Sequence, residues 1–143
     1  RGVFEDLFRD GFSPVVMVGS DVPTLPAKRV VEALDRLRAP GDRVVLGPAN
    51  DGGYYLIGLA ARTGDATVPD LFTGVRWSTE WARADTVRAA DRCGLTVELV
   101  GDWYDVDDAA GLTRLRRELA TQDGARRGPA TKRALEELDW RLG

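Results

Sequence analysis

An α/β fold, with a mainly parallel sheet flanked by helices, is what this sequence predicts on three observations. Strand-like and helix-like segments alternate through most of the chain. The run Val15–Val18 is continuously apolar and bounded by Pro14 and Gly19, as in a strand buried on both faces. Three polar clusters also follow apolar runs, where open α/β sheets bind ligands. They are Ser20-Asp21, Asn50-Asp51-Gly52-Gly53 and Tyr104-Asp105-Val106-Asp107-Asp108.

The elements follow in order. Val3 to Arg9 reads as a short amphipathic helix stopped near Gly11. Val15 to Val18 is the first strand. Thr24 and Pro26 open a helix with Val30, Val31, Leu34 and Leu37 on one apolar face. Pro40-Gly41-Asp42 breaks it, and Arg43 to Leu46 is a second strand closed by Gly47-Pro48. Tyr54 to Leu59 is a third. Residues 60–70 read as a surface loop. Ser78 caps a predicted helix running to Cys93, with Gly94 as its stop. Leu95 to Val100 is a fourth strand, at an edge. A helix after Asp108 turns Leu112, Leu115 and Leu119 inward. Residues 121–128 read as a linker, and Pro129 opens a last helix through Leu142.

Composition narrows the chemistry. The 143 residues make one domain the default, and 43% hydrophobic with 30% charged residues is ordinary for a globular protein. No apolar run approaches the ~20 residues of a membrane span. The first residues show no charged-then-apolar targeting pattern, so a cytoplasmic location is the expectation. The single cysteine, Cys93, excludes an internal disulfide and reads as a buried or half-buried spectator. With no histidine, histidine-based triads and histidine–metal sites are excluded. A net charge of −3 without a dense basic run argues against nucleic acid. Any metal must then be held by oxygen ligands, which suits Mg2+ or Mn2+.

The strand-end residues have two readings each. Asp21 either holds a divalent cation that neutralises a diphosphate or shapes an Asx-turn toward Pro23. Ser20 either bonds a phosphate or sugar or simply turns the chain. Gly52 and Gly53 let backbone approach a ligand, and Asp51 could accept from sugar hydroxyls or act as a base. The alternative is an Asp-Gly turn joining two strands. Tyr54 and Tyr55 face opposite ways, so at most one lines a site. Asp105 and Asp107 can complete a metal site, or Asp107 or Asp108 caps the following helix. Trp77-Ser78-Thr79 is an aromatic platform with hydroxyls or a capped helix start. Lys28, Arg36, Arg38 and the Arg114-Arg116-Arg117 group read as solvated helix faces.

Taken together, four segments occur in order with sensible spacing: residues 18–25 (VGSDVPTL), 46–59 (LGPANDGGYYLIGL), 77–79 (WST) and 104–108 (YDVDD). In them the chain resembles the bacterial glycosyltransferase-A-like family related to arsenosugar-biosynthesis glycosyltransferases. It is similar, more distantly, to nucleotidyltransferases such as phospholactate guanylyltransferase. The resemblance covers roughly residues 1–120. It implies a glycosyltransferase-A fold, a nucleotide-diphosphate-sugar donor, a small-molecule acceptor and a divalent metal, Mg2+ or Mn2+. It places Asp21 at the metal, with Asp107 as a second carboxylate and Asp105 its alternative. It places Asp51, Gly52 and Gly53 at the sugar or acceptor, and Trp77, Ser78 and Thr79 on the acceptor side.

Family members carry an earlier strand and a basic, glycine-containing loop for base and phosphates, and no such segment is seen here. The expectation is therefore a partial single domain over residues 1–143, with the first strands absent. Exposed edges would favour a homodimer. Three functions follow: metal-dependent glycosyl transfer, nucleotidyl transfer with release of pyrophosphate, or a non-catalytic remnant.

Overall fold

The computed structural model describes residues 1–61 and 67–142. In chain order it forms α1 (Gly2–Arg9), β1 (Val15–Val18), α2 (Ala27–Leu37), β2 (Arg43–Pro48), β3 (Tyr54–Leu59), α3 (Ala82–Arg92), β4 (Thr96–Leu99), α4 (Ala109–Leu119), α5 (Gln122–Arg127) and α6 (Pro129–Leu142). No helix among the described residues is long and apolar enough to cross a membrane.

The four strands form one mixed sheet in the order β1-β3-β2-β4. β3 is antiparallel to both β1 and β2, while β2 and β4 are parallel. This corrects the mainly parallel sheet expected above. The reason is connection length. A parallel neighbour needs a crossover of about a dozen residues. The short loop between Pro48 and Tyr54 permits only a reversal. β1, β2 and β4 nevertheless run in one direction, with the reversed β3 inserted between the first two. β4 lies at the edge, as its sequence suggested.

Strand alternation divides the core in two. Val44, Leu46, Ile57 and Leu59 join Phe4 and Phe8 of α1 and Ala89 and Ala90 of α3. Val45, Leu56 and Val100 join Ala33 and Leu37 of α2. Helices therefore cover both faces of the sheet. Val31 points outward, 54% exposed, because Ala33 rather than Val31 continues the inner face of α2. A smaller cluster of Tyr104, Leu115 and Leu119 lies with α4 and takes in Leu135 of α6.

Three helix boundaries differ from expectation. Pro26 occupies the N-cap position of α2 with no side-chain cap, and Thr24 is fully buried with its hydroxyl turned to a carboxylate instead. α3 begins at Ala82, not Ser78, since Ser78 has φ 59 and cannot continue a helix. Residues 122–127 form α5, capped by Thr121, whose hydroxyl accepts from the Gly124 N–H at 3.0 Å. Asp108 does cap α4, accepting from Gly111 N at 2.7 Å. Residues 62–66 of the expected surface loop lie outside the described residues.

Tyr55 crosses β2 at a point that only glycine permits. A Cβ on Gly47 would lie 2.5 Å from the Tyr55 ring and 2.9 Å from Leu56 Cβ. The ring cannot easily retreat, because its hydroxyl donates to the Gly101 carbonyl at 2.6 Å. Burial pushes that hydroxyl's pKa up to about 12, so it remains a donor. Gly47→Ala is expected to destabilise the fold by about 1–3 kcal/mol through overpacking. Urea denaturation of the two proteins would measure this, and equal midpoints would contradict it.

Candidate active-site cleft

Because β1, β2 and β4 share a direction, their C-terminal ends lie at one end of the sheet. The pairing continues past the strands. Val100 N donates to Leu46 O at 2.9 Å and Trp103 N to Pro48 O at 3.1 Å, and Ala49 and Trp103 form a parallel bridge. Tyr104-Asp105 thus runs beside Asn50-Asp51. Val106 N then donates to the Asp21 carbonyl at 3.0 Å, tying the same segment to the loop after β1.

The result is a carboxylate cluster. Asp51, Asp105 and Asp107 each offer an oxygen within 4.8 Å of the others. They line a cleft of about 380 Å3 with Asn50, Tyr104, Asp108, Gly111 and Arg114. Asp105 is half-buried, while Asp51 and Asp107 are exposed. Burial raises the Asp105 pKa, and the negative charges of Asp51, Asp107 and Asp21 raise it further. Asp51 is steadied by the Gly53 N–H, which donates to Oδ1 at 2.8 Å. This is the Asx-turn geometry the Asp-Gly sequence allows.

Asp21 stands beside this group rather than within its 4.8 Å cluster. Its carboxylate folds back over its own loop, and a Cβ on Gly19 would lie 2.5 Å from Oδ1. Ser20 is exposed on the same loop.

A second feature adjoins the cleft across the Gly52 loop. Gly52 has φ 91, and a Cβ there would lie 2.3 Å from the Glu80 carbonyl oxygen. Its own carbonyl accepts from Arg83 N at 3.2 Å. The loop is therefore pressed against residues 80–83. Just before them, Trp77 is 51% exposed. It stacks on Phe72 with centroids 6.3 Å apart and meets Tyr54 edge-on at 6.4 Å. Tyr54 belongs with this aromatic group, and the Thr86 hydroxyl donates to its phenol at 3.4 Å. Tyr55 is core on the other face. Thr79 serves its loop, donating to Arg76 O at 2.7 Å and accepting from Trp81 N at 3.2 Å. Ser78 is exposed.

Comparison with known proteins places the chain. Residues 1–79 match the family described as "Uncharacterized protein conserved in bacteria (DUF2064)". The chain belongs to that family. The family match spans Asp21, Asp51 and Trp77–Thr79, while Asp105 and Asp107 lie beyond it. Among solved structures, the chain is similar to a "putative nucleotide-diphospho-sugar transferase" from Desulfovibrio desulfuricans G20. The two share 36% sequence identity with a TM-score of 0.79, over 96% of this chain and 57% of that one. The chain thus spans little more than half the length of that neighbour. No curated protein matches it.

Two carboxylates that hold the site in shape were not singled out from the sequence. Glu118 accepts from the Tyr104 and Thr24 hydroxyls and from Arg127. Burial opposes its charge, but these three donors outweigh it and keep its pKa low. Tyr104, directly before Asp105, is thereby fixed to α4. Asp85 is the other, only 8% exposed. It accepts from Arg76 N at 3.0 Å, Nε at 2.8 Å and Nη2 at 3.0 Å, and also from Arg88. This fork sets the loop that carries Trp77. A sequence signal existed, since Ala82, Asp85, Thr86 and Ala89 share the buried face of α3.

These donors hold the Asp85 carboxyl well below its ordinary pKa of 3.8, the Arg76 side chain foremost. A lowered folded-state pKa stabilises above the unfolded value and loses that contribution as pH falls through it. Asp85→Asn is therefore expected to lower stability at neutral pH and to flatten the loss of stability below about pH 4. Thermal melts across that range would show it. Parallel acid limbs in the two proteins would contradict the assignment.

Proposed function

We propose that this chain carries the metal-binding side of a glycosyltransferase-A-type cleft that transfers sugar from a nucleotide-diphosphate donor to a small-molecule acceptor. The observation that carries the reading is the convergence of Asp51, Asp105 and Asp107 beyond the ends of the parallel pair β2 and β4. The similarity to the Desulfovibrio structure supports it.

The donor set fits a divalent cation. Its ligands are hard carboxylate oxygens, which suit Mg2+ or Mn2+. Burial foremost, and repulsion from Asp51, Asp107 and Asp21 after it, raise the Asp105 pKa, and a cation between the carboxylates would relieve the repulsion. Asp51, Asp105 and Asp107 would hold it, with Asp21 alongside. When bound, the cation supplies charge neutralisation for the diphosphate and for the departing nucleoside diphosphate.

The chain's own residues do the rest by placement. The Gly53 N–H orients Asp51. Gly52 lets its loop press against the Glu80 backbone, and Gly53 lets its N–H close on the Asp51 carboxylate. Trp77, held by Phe72 and Tyr54, offers an aromatic face across the Gly52 loop for the apolar side of a sugar or acceptor. Ser20 and Ser78 offer exposed hydroxyls at the two margins.

Asp105→Asn is expected to weaken Mn2+ binding at least about tenfold, since even changes outside the ligand shell cost this much. It should abolish metal-dependent transfer or hydrolysis of a nucleotide sugar. Calorimetry with Mn2+ and product analysis over a panel of donors would test both. Unchanged Mn2+ affinity would remove the metal assignment. Pyrophosphate release from a nucleoside triphosphate would replace glycosyl with nucleotidyl transfer.

A further inference from the structure

Arg114, from the arginine group that reads in sequence as a solvated helix face, lines the cleft. Its guanidinium lies 3.9 Å from the centroid of the Tyr104 ring. It is the cationic side chain among the cleft-lining residues, beside Asp51, Asp105 and Asp107. Other arginines of the chain pair with acids: Arg36 and Arg43 with Glu98, Arg76 and Arg88 with Asp85, and Arg127 with Glu118. Among the described residues no carboxylate forms an ion pair with Arg114, which lies over an aromatic face instead.

That arrangement has a chemical consequence. Stacking uses the flat face of a guanidinium and leaves its in-plane N–H donors available. The ring beneath is fixed, since Tyr104 is 4% exposed and its hydroxyl donates to Glu118. An arginine so held is pre-oriented for a two-point contact with a planar or tetrahedral oxyanion. The charge balance points the same way. With Asp108, four carboxylates line the cleft and more than cancel one divalent cation, so the loaded cleft still repels an anion. Arg114 is the side chain at the cleft wall that reduces that excess and offers donors to an anion.

We propose that Arg114 is the phosphate-binding arm of the cleft, gripping a phosphate of the incoming ligand through its N–H fork while Tyr104 holds its face. This rests on the reading of the carboxylate cluster as a divalent-cation site. The phosphate belongs either to the diphosphate of a nucleotide or to a phosphorylated acceptor.

The test uses the full chain and its Arg114→Ala and Arg114→Lys variants. Calorimetry follows Mn2+ alone, then UDP or GDP with Mn2+, then glycerol 3-phosphate as a phosphomonoester. Arg114→Ala should weaken phosphate binding by about tenfold or more while Mn2+ alone binds undiminished. Arg114→Lys keeps the charge without the fork and should recover only part of the loss. A loss confined to UDP or GDP assigns the arm to the donor diphosphate. A loss confined to glycerol 3-phosphate assigns it to the acceptor. Equal phosphate affinity in wild type and Arg114→Ala, or no phosphate binding by a wild type that does bind Mn2+, overturns the arm and leaves the metal cleft standing. Failure of the wild type to bind Mn2+ overturns both.

Discussion

The backbone stitching of residues 100–106 across the ends of β2 and β1 is the constraint on which the site depends. Three hydrogen bonds do it: Val100 to Leu46, Trp103 to Pro48 and Val106 to Asp21. Two are direct continuations of strand pairing between β2 and β4. The third crosses to the loop after β1. Because they are made by main chain, they fix the path of Tyr104–Asp107 whatever the side chains do. The carboxylates of Asp105 and Asp107 are then delivered to Asp51 by topology.

Such a cluster is costly on its own. Burial and, after it, the like charges of Asp51, Asp107 and Asp21 disfavour the ionised Asp105, and its pKa is raised. The fold meets the cost with ordered contacts immediately behind the cleft. Glu118 gathers the Tyr104 and Thr24 hydroxyls and Arg127, joining the loop before α2, the segment before Asp105, α4 and α5. Arg127 also lies over the Trp103 ring, 5.6 Å from its centroid. The small cluster of Tyr104, Leu115 and Leu119 buries the apolar side of the same joint. A rigid base therefore supports a polar, solvent-facing rim, the division expected where a site holds strain that its surroundings offset.

Much of this was legible in the sequence, and what was not has definite causes. The apolar run Val15–Val18 forms β1 as read, but at an edge of the sheet: Val15 is buried, Val16 and Met17 are half-buried and Val18 is exposed, so the burial on both faces that the run predicts is not met. Strand direction does not reside in such runs, which is why β3 is antiparallel where the sequence predicts a mainly parallel sheet. The corrective signal was the short Asn50–Gly53 loop, which fits a reversal. The strand-end acids were legible as a set, but their grouping was not. Asp51 reads alone as a base or a turn and is found with Asp105 and Asp107. Asp21, the most prominent acid in sequence, stands beside them. Partner choice across Tyr104, Glu118 and Thr24 spans most of the chain, and no local pattern encodes it. Arg114 is exposed, as its helical spacing predicts; what the spacing does not say is that its face borders the carboxylate cleft.

The central claim is that the three strand-end acids form one cation site. Anomalous X-ray diffraction from crystals of the protein soaked in Mn2+ tests it most directly. The account predicts one strong anomalous peak within coordinating distance of Asp51, Asp105 and Asp107. A peak bound elsewhere on the chain, or none at saturating Mn2+, would contradict it.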